Sequence, residues 1–469
     1  MGESYADLIE VEDILLFANA VITSTGQREF RDSQWEQRLS LDFLHRYVQG
    51  NYPDVYRALL ALDVNDHNAA LIIRNVLREP GGDGRLIAWR LRRMSPPRVY
   101  RLFAGLRRDG TNNRRTRAIV RDWLAARPDL AFDAVKYRSA LKAAIRHAHL
   151  KPPGELGDFL FAPRRRARFE TPVLETWRRA HYDKQALYDL PYTVAEGFAA
   201  RRGIDREVFL ARIAPQMTRL ERLRLTEAAG RAGADTAADL AAMPLVRLAS
   251  YALSLPPRVR AERRAELTGA LRASAARAAG ARAGTWGKVT AVLDDSFSSF
   301  GSPVKRNRPL AVALACHHLL AALAGEYRGL WLGGHADPLL VRPVGPTPLG
   351  GRIIDALETS PDRLIIVSDG WDNAPPGLAG EVLRVWRRRL DPGGRVRVVH
   401  LNPVYDAEAF DVRRLSPMVP TVGIRDAENL PALVELAAFA EGRTGLGELR
   451  AYLAERAETH LRNAEETEP

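Results

Sequence analysis

The sequence predicts a mainly helical domain over residues 1–285, an α/β doubly wound domain over 286–440, and a C-terminal helix and tail over 441–469. Two patterns carry this reading. Up to about residue 280, helical stretches of 10 to 15 residues alternate with short Pro/Gly breaks, and strand signals are nearly absent. Beyond that point apolar runs of strand length alternate with helical periods, the pattern of a mostly parallel sheet covered by helices.

Taken in order, the helical half breaks at Asn51–Pro53, Pro80–Gly82, Ser95–Pro97, Asp109–Gly110, Pro152–Gly154, Gly203 and Pro256–Pro257. Such spacing without a heptad fits a helical-repeat array. In the second half, strands are expected at Lys288–Leu293, Gly329–Leu332, Arg363–Ser368, Val396–Leu401 and Thr421–Ile424, with Leu339–Val341 a possible short edge strand. Helices are expected at Leu310–Leu323, Leu349–Leu357, Gly380–Leu390 and Asn429–Ala440.

Composition narrows the function. The 469 residues hold 69 Lys+Arg against 57 Asp+Glu, a net charge of +12. The excess is regional: residues 85–285 hold 41 basic and 19 acidic side chains, whereas 1–84 hold 7 and 14 and 286–469 hold 21 and 24. A local field of that size attracts a polyanion. The single cysteine, Cys316, excludes a disulfide framework and a cysteine-based zinc cluster. The acidic N-terminus and the lack of a long apolar span predict a cytoplasmic chain off the membrane, and a monomer is expected.

Spacing sharpens the charge signal. Arg114, Arg117 and Arg121 fall at i, i+3 and i+7 of one helix. On the next, expected at Phe132–Ala148, Arg138, Lys142 and Arg146 follow at i, i+4 and i+8, and His149 extends the row. Neither stripe contains an acid at helical spacing, so each repels itself unless an anion neutralises it. Arg164, Arg165, Arg166 and Arg168 follow in a loop, where they could also be a plain solvated surface. Trp89, Tyr100 and Phe103, which lie among the arginines, suit a core better than a base-stacking platform.

A different chemistry appears at the expected strand ends. Asp294-Asp295-Ser296-Phe297-Ser298 follows the first strand, Asp369-Gly370 follows the strand at 363–368, and Thr347 lies in a loop between them. Carboxylates and hydroxyls without His or Cys suit a hard cation, Mg²⁺ or Mn²⁺. His317-His318 resembles a metal pair only in sequence, since adjacent helical residues point about 100° apart. No Walker-type phosphate loop, Gly-x-Ser-x-Gly elbow or His-Glu-x-x-His helix occurs, and the chain is read as no enzyme.

Asp294, Ser296, Ser298, Thr347 and Asp369, in this order and on these elements, resemble the metal-ion-dependent adhesion site of the von Willebrand factor A family, although Phe297 departs from the small residue often found there. The resemblance implies direct serine ligation and a position left open for a partner's carboxylate. Lys136-Tyr137-Arg138 followed by His149-Leu150-Lys151-Pro152, and Met243-Pro244-Leu245, resemble phrases of the TROVE module. Together the two halves are similar to the Ro ribonucleoprotein family. That implies a HEAT-like ring of helical repeats followed by the A domain, binding small structured non-coding RNA, single-stranded RNA ends, or both. His149 and Lys151 match the family's RNA-binding motif, and the Mg²⁺ site would dock a protein partner. The alternative is a protein-interaction module of a bacterial multi-protein, defence-type system that docks a chaperone-like ATPase through the A domain.

Overall fold

A computed structural model describes residues 5–79, 84–218, 221–222, 225, 240–441 and 445–465; the break expected at Pro80–Gly82 and the end of the tail lie outside them. The chain forms two compact units, one of Met1–Asn68 with Leu240–Glu458 and one of Ala69–Asp239 with Thr459–Pro469. This division differs from segments 1–285 and 286–440, because residues on both sides of the second unit complete the α/β core.

In the first unit, β1 (Lys288–Leu293), β2 (Glu326–Trp331), β3 (Arg363–Val367), β4 (Arg397–Asn402) and the late strand Thr421–Gly423 form one parallel sheet. Its order places β1 between β2 and β3, with β4 and Thr421–Gly423 beyond β3. Val289, Ala291, Val292 and Leu293 are all buried, as a strand covered on both faces requires. Ala291 pairs with Gly329 on one side and Ile365 on the other.

One face is covered by the helix Arg308–Leu323, which is apolar nearly all round because it also packs against the helices Leu245–Ser254 and Arg264–Ala279. Cys316 is buried within it, and His317 Nδ1 lies 3.0 Å from the Tyr327 hydroxyl, so this histidine packs. On the other face Leu349, Ile353, Ala379 and Leu383 of the helices Leu349–Glu358 and Leu378–Arg389 meet Val292, Leu364, Ile366 and Val398.

The first helix, Tyr5–Thr23, joins the same unit. Buried Asn19 donates from Nδ2 to Asp411 Oδ1 at 2.9 Å and accepts the Gly423 N–H at Oδ1, also at 2.9 Å. Gly423 lets this helix approach, since a Cβ there would lie 2.7 Å from Thr23 Cγ2. Leu339–Val341 is not a strand. Pro338–Leu340 is a 3₁₀ turn whose neighbouring carbonyls, on Leu339 and Val341, accept from the buried Arg260 guanidinium at 2.6 and 3.0 Å. Those oxygens are therefore not available to a ladder.

The second unit is helical where described. The single helix expected at 132–148 is two, Leu130–Lys136 and Arg138–His147. Tyr137 leaves helical geometry at φ −121°, ψ 33°, and its ring packs on Tyr100 with centroids 5.4 Å apart. Trp89, Tyr100 and Phe103 are buried. Among the described residues no helix is long and apolar enough to cross a membrane.

Replacing Asn19 by Ala would leave the buried Gly423 amide unpaired and remove one partner of the buried Asp411 carboxylate. The first unit should lose about 2–4 kcal/mol in chemical denaturation. A loss below about 0.5 kcal/mol would contradict this packing.

Candidate metal centre and cationic surface

Parallel pairing of β1 with β3 brings Leu293 level with Val367, so Asp294 and Asp369 leave neighbouring strand ends at the point where the strand order reverses. The connecting loops are tied together. Asp294 N–H donates to Val367 O at 3.0 Å, and Phe297 N–H to Gly345 O at 3.0 Å. Thr347 N–H donates to Asn373 Oδ1 at 2.8 Å, which fixes the threonine loop to the loop after β3.

The donor set is oxygen only. Asp294 Oδ1 accepts the Ser296 N–H at 2.8 Å, and the Ser296 and Ser298 hydroxyls lie 3.2 Å apart. Ser298 also bonds Asp369, whose Oδ1 accepts the Trp371 N–H at 3.1 Å. Asp294, Ser296, Ser298, Thr347 and Asp369 are all buried. Neither carboxylate forms an ion pair among the described residues. Burial first, and the charge of Asp369 second, push the Asp294 carboxyl up to about 7. Burial also raises Asp369, against hydrogen bonds from Ser298 and Trp371 and the charges of Arg31 and Arg413.

These five residues fit a hard cation: two carboxylates without a cationic contact, with hydroxyls beside them. Among the described residues no group of three or more His, Cys, Asp or Glu side chains gathers into a metal site, so a cation here would depend on the hydroxyls. Asp295 turns away, its Oδ1 accepting the Gly333 N–H at 2.8 Å. Phe297 is exposed and packs edge-on against Phe30, with ring centroids 6.0 Å apart.

The predicted cations divide into two sets. Lys136 is neutralised by Glu221 at 3.0 Å, Arg166 by Asp158 at 2.6 Å, and Arg121 sits beside Asp122 at 2.8 Å. Arg138 is not on the exposed row. Its Nη2 donates to Phe159 O at 2.7 Å, and its guanidinium lies 5.0 Å from the Phe159 ring and 4.7 Å from the Trp177 ring. The helix break at Tyr137 turns it inward. His149 lies past the helix end with φ +54°, its Nε2 3.3 Å from Asn112 Nδ2, and so does not continue the row.

Arg114, Arg117, Lys142, Arg146, Lys151, Arg164 and Arg165 have no ion pair among the described residues. Lys142 Nζ and Arg146 Cζ lie 5.3 and 5.0 Å from the centre of one ring, Phe161, which is 37% exposed. Sequence spacing identified the two cations but not the ring, which ends a separate helix, Leu156–Phe161. Arg31, Trp371 and Arg413 beside Asp369 also escaped it. Only the position of Trp371, two residues after Asp369, was a local signal.

Fold and side chains together define a doubly wound α/β unit with an oxygen-lined crevice at its strand ends, in a chain whose second unit is helical where described and basic. The chain is similar in fold to the crystal structure of the Deinococcus radiodurans Ro (RSR) protein: 15% identity, 92% of this chain and 100% of that chain covered, TM-score 0.44. No protein-family model matches the sequence, and no curated protein matches it.

An acid raised in the folded state holds its proton more tightly there than when unfolded. The metal-free protein therefore has this stabilisation fully below the ordinary carboxyl range and loses it as pH rises toward about 7. In EDTA, Asp294→Asn should melt like wild type near about pH 4.5 and be more stable by about 2 kcal/mol above about pH 7.5. Equal melting at both pH values would contradict the buried carboxylate pair.

Proposed function

We propose that the protein is a non-catalytic RNA-binding scaffold: the basic helical unit holds RNA, and the α/β unit uses Mg²⁺ or Mn²⁺ to dock a protein partner. The observation that supports RNA most is the exposed Phe161 ring with Lys142 and Arg146 over it, neither of which has a carboxylate partner among the described residues. Cations held over an exposed ring suit phosphates, while the part of the ring left open to solvent adds an aromatic surface for an unpaired base. That combination favours a single-stranded segment, because bases in a duplex are already stacked. Arg164 and Arg165, three and four residues after Phe161, extend the positive surface.

In the α/β unit, Asp294, Ser296, Ser298, Thr347 and Asp369 would hold the ion. Bound there, the cation would neutralise the paired carboxylates and accept an oxygen ligand from a partner. Both aspartates are committed to that role, and no histidine or further carboxylate stands in the donor set to act as a base. The reading is therefore docking rather than hydrolysis.

Filter binding of a labelled oligouridylate across a salt series tests the RNA reading. Lys142→Ala combined with Arg146→Ala should flatten the slope of log K against log salt by about 1.4, since each single-strand phosphate contact contributes about 0.7. Phe161→Ala should weaken binding by about 1–3 kcal/mol with the slope unchanged. Arg138→Ala should instead lower the melting temperature. An unchanged slope in the double variant would overturn the reading.

A further inference from the structure

Beside Asp369, the loop after β3 turns at Gly370, where φ is +78° and a Cβ would strike the Arg413 carbonyl. The next residue, Trp371, has the guanidinium carbon of Arg31 at 3.7 Å from its ring centre and that of Arg413 at 3.6 Å. These are contact distances, and two planar groups cannot share one ring face at such separations. The indole is therefore held between the two arginines.

The arginines come from distant segments, and each is fixed. Arg31 lies in the turn before the helix Gln34–Asn51. In that turn buried Glu29 pairs with Lys305, Ser302 Oγ donates to Arg28 O at 2.7 Å, and Asp32 Oδ2 accepts from Gln37 Nε2 and the Ala407 N–H, both at 2.8 Å. Arg413 directly follows the strand Asp411–Val412. Stacking occupies the guanidinium faces and leaves their N–H edges, and neither arginine forms an ion pair among the described residues, although Asp369 lies beside both.

Asp32, Asp369, Trp371, Asp406 and Arg413 share one cleft. Its acids outside the metal position already have partners. Asp32 is bonded as above, Glu29 pairs with Lys305, and Asp406 Oδ1 accepts two backbone N–H groups at 3.1 Å. Apart from Asp369 at the metal position, the charge left without an ion pair at the cleft is positive, in the fork geometry that matches a carboxylate.

An exposed apolar row identifies the kind of molecule that brings it. Trp35, Leu39, Phe43 and Tyr47 follow at four-residue spacing on the helix Gln34–Asn51, are 69%, 50%, 48% and 38% exposed, and begin four residues after Arg31. Phe410 lies against Phe43 with centroids 5.3 Å apart. An exposed apolar row of this kind, three of its four members aromatic, fits a protein rather than a phosphate backbone.

We propose that Arg31 and Arg413, stacked on Trp371, form a clamp for a carboxylate in an acidic segment of a protein partner. This carboxylate is separate from the one that the metal would take. The inference deepens the docking reading and rests on it for the metal-bound carboxylate alone; the clamp itself needs no metal.

The test uses the full chain and fluorescein-labelled Gly/Ser peptides carrying four aspartates or one, with labelled oligouridylate as a second probe, in Mg²⁺ and in EDTA. The four-aspartate peptide should bind more tightly than the one-aspartate peptide. Arg31→Ala and Arg413→Ala should each weaken it about tenfold in EDTA as well as in Mg²⁺, with the folded circular dichroism spectrum retained. Arg413→Lys should recover the loss only in part, lacking the fork. If wild type fails to bind Mg²⁺ but the peptide still depends on both arginines, the metal reading fails and the clamp stands. The clamp is overturned if the peptide does not bind wild type, if the arginine variants bind it as tightly, or if only oligouridylate responds to them.

Discussion

Two carboxylates buried at neighbouring strand ends, with no ion pair among the described residues, constrain the loops that meet at the strand ends of the α/β unit. The sheet creates the problem: β1 and β3 are adjacent and parallel, and their connections leave in different directions, so Asp294 and Asp369 open into one crevice. Hydrogen bonds from Ser296, Ser298 and Trp371 hold the oxygens in place without neutralising them. Uncompensated charge in a dry site either takes up a proton or takes up a cation. The metal-free form does the first, with Asp294 raised to about 7. The second is the basis of the docking proposal.

The helical unit shows the opposite sign of the same rule. Its arginines are used in two ways, and only geometry separates them. Some are internal struts: Arg127 pairs with buried Asp133, and Arg115 reaches the Glu79 carbonyl at 2.8 Å near the end of the helix Asp66–Arg78. Others, Lys142 and Arg146 among them, rest their stems and charge against an aromatic ring and keep their polar edges outward. Composition counts both sets alike, so the regional excess of positive charge overstates the cations that remain for a ligand.

Much of this was legible because the signals were local. Lys288–Leu293 and Arg363–Ser368 read as strands from continuous apolar runs, and the Asp-x-Ser-x-Ser spacing placed three residues of the candidate site within five positions. What escaped depended on contacts distant in sequence. Nothing near Leu339 indicates that Arg260 takes the carbonyls a strand would need. Nothing in Phe132–Ala148 breaks a helix, yet packing on Tyr100 turns the chain at Tyr137 and sends Arg138 inward. Arg31 reaches Trp371 across 340 positions of sequence, a pairing visible only once the first helices join the α/β core.

The central claim is that the carboxylate pair exchanges a proton for a divalent cation. Titration calorimetry of Mg²⁺ into the full chain near about pH 6.5, in two buffers of different ionisation enthalpy, reads this directly. The account predicts one ion per chain, with heats that differ between the buffers because a proton is released, and loss of the signal in Asp294→Ala and Asp369→Ala. Equal heats in the two buffers, or binding retained in both variants, would contradict it.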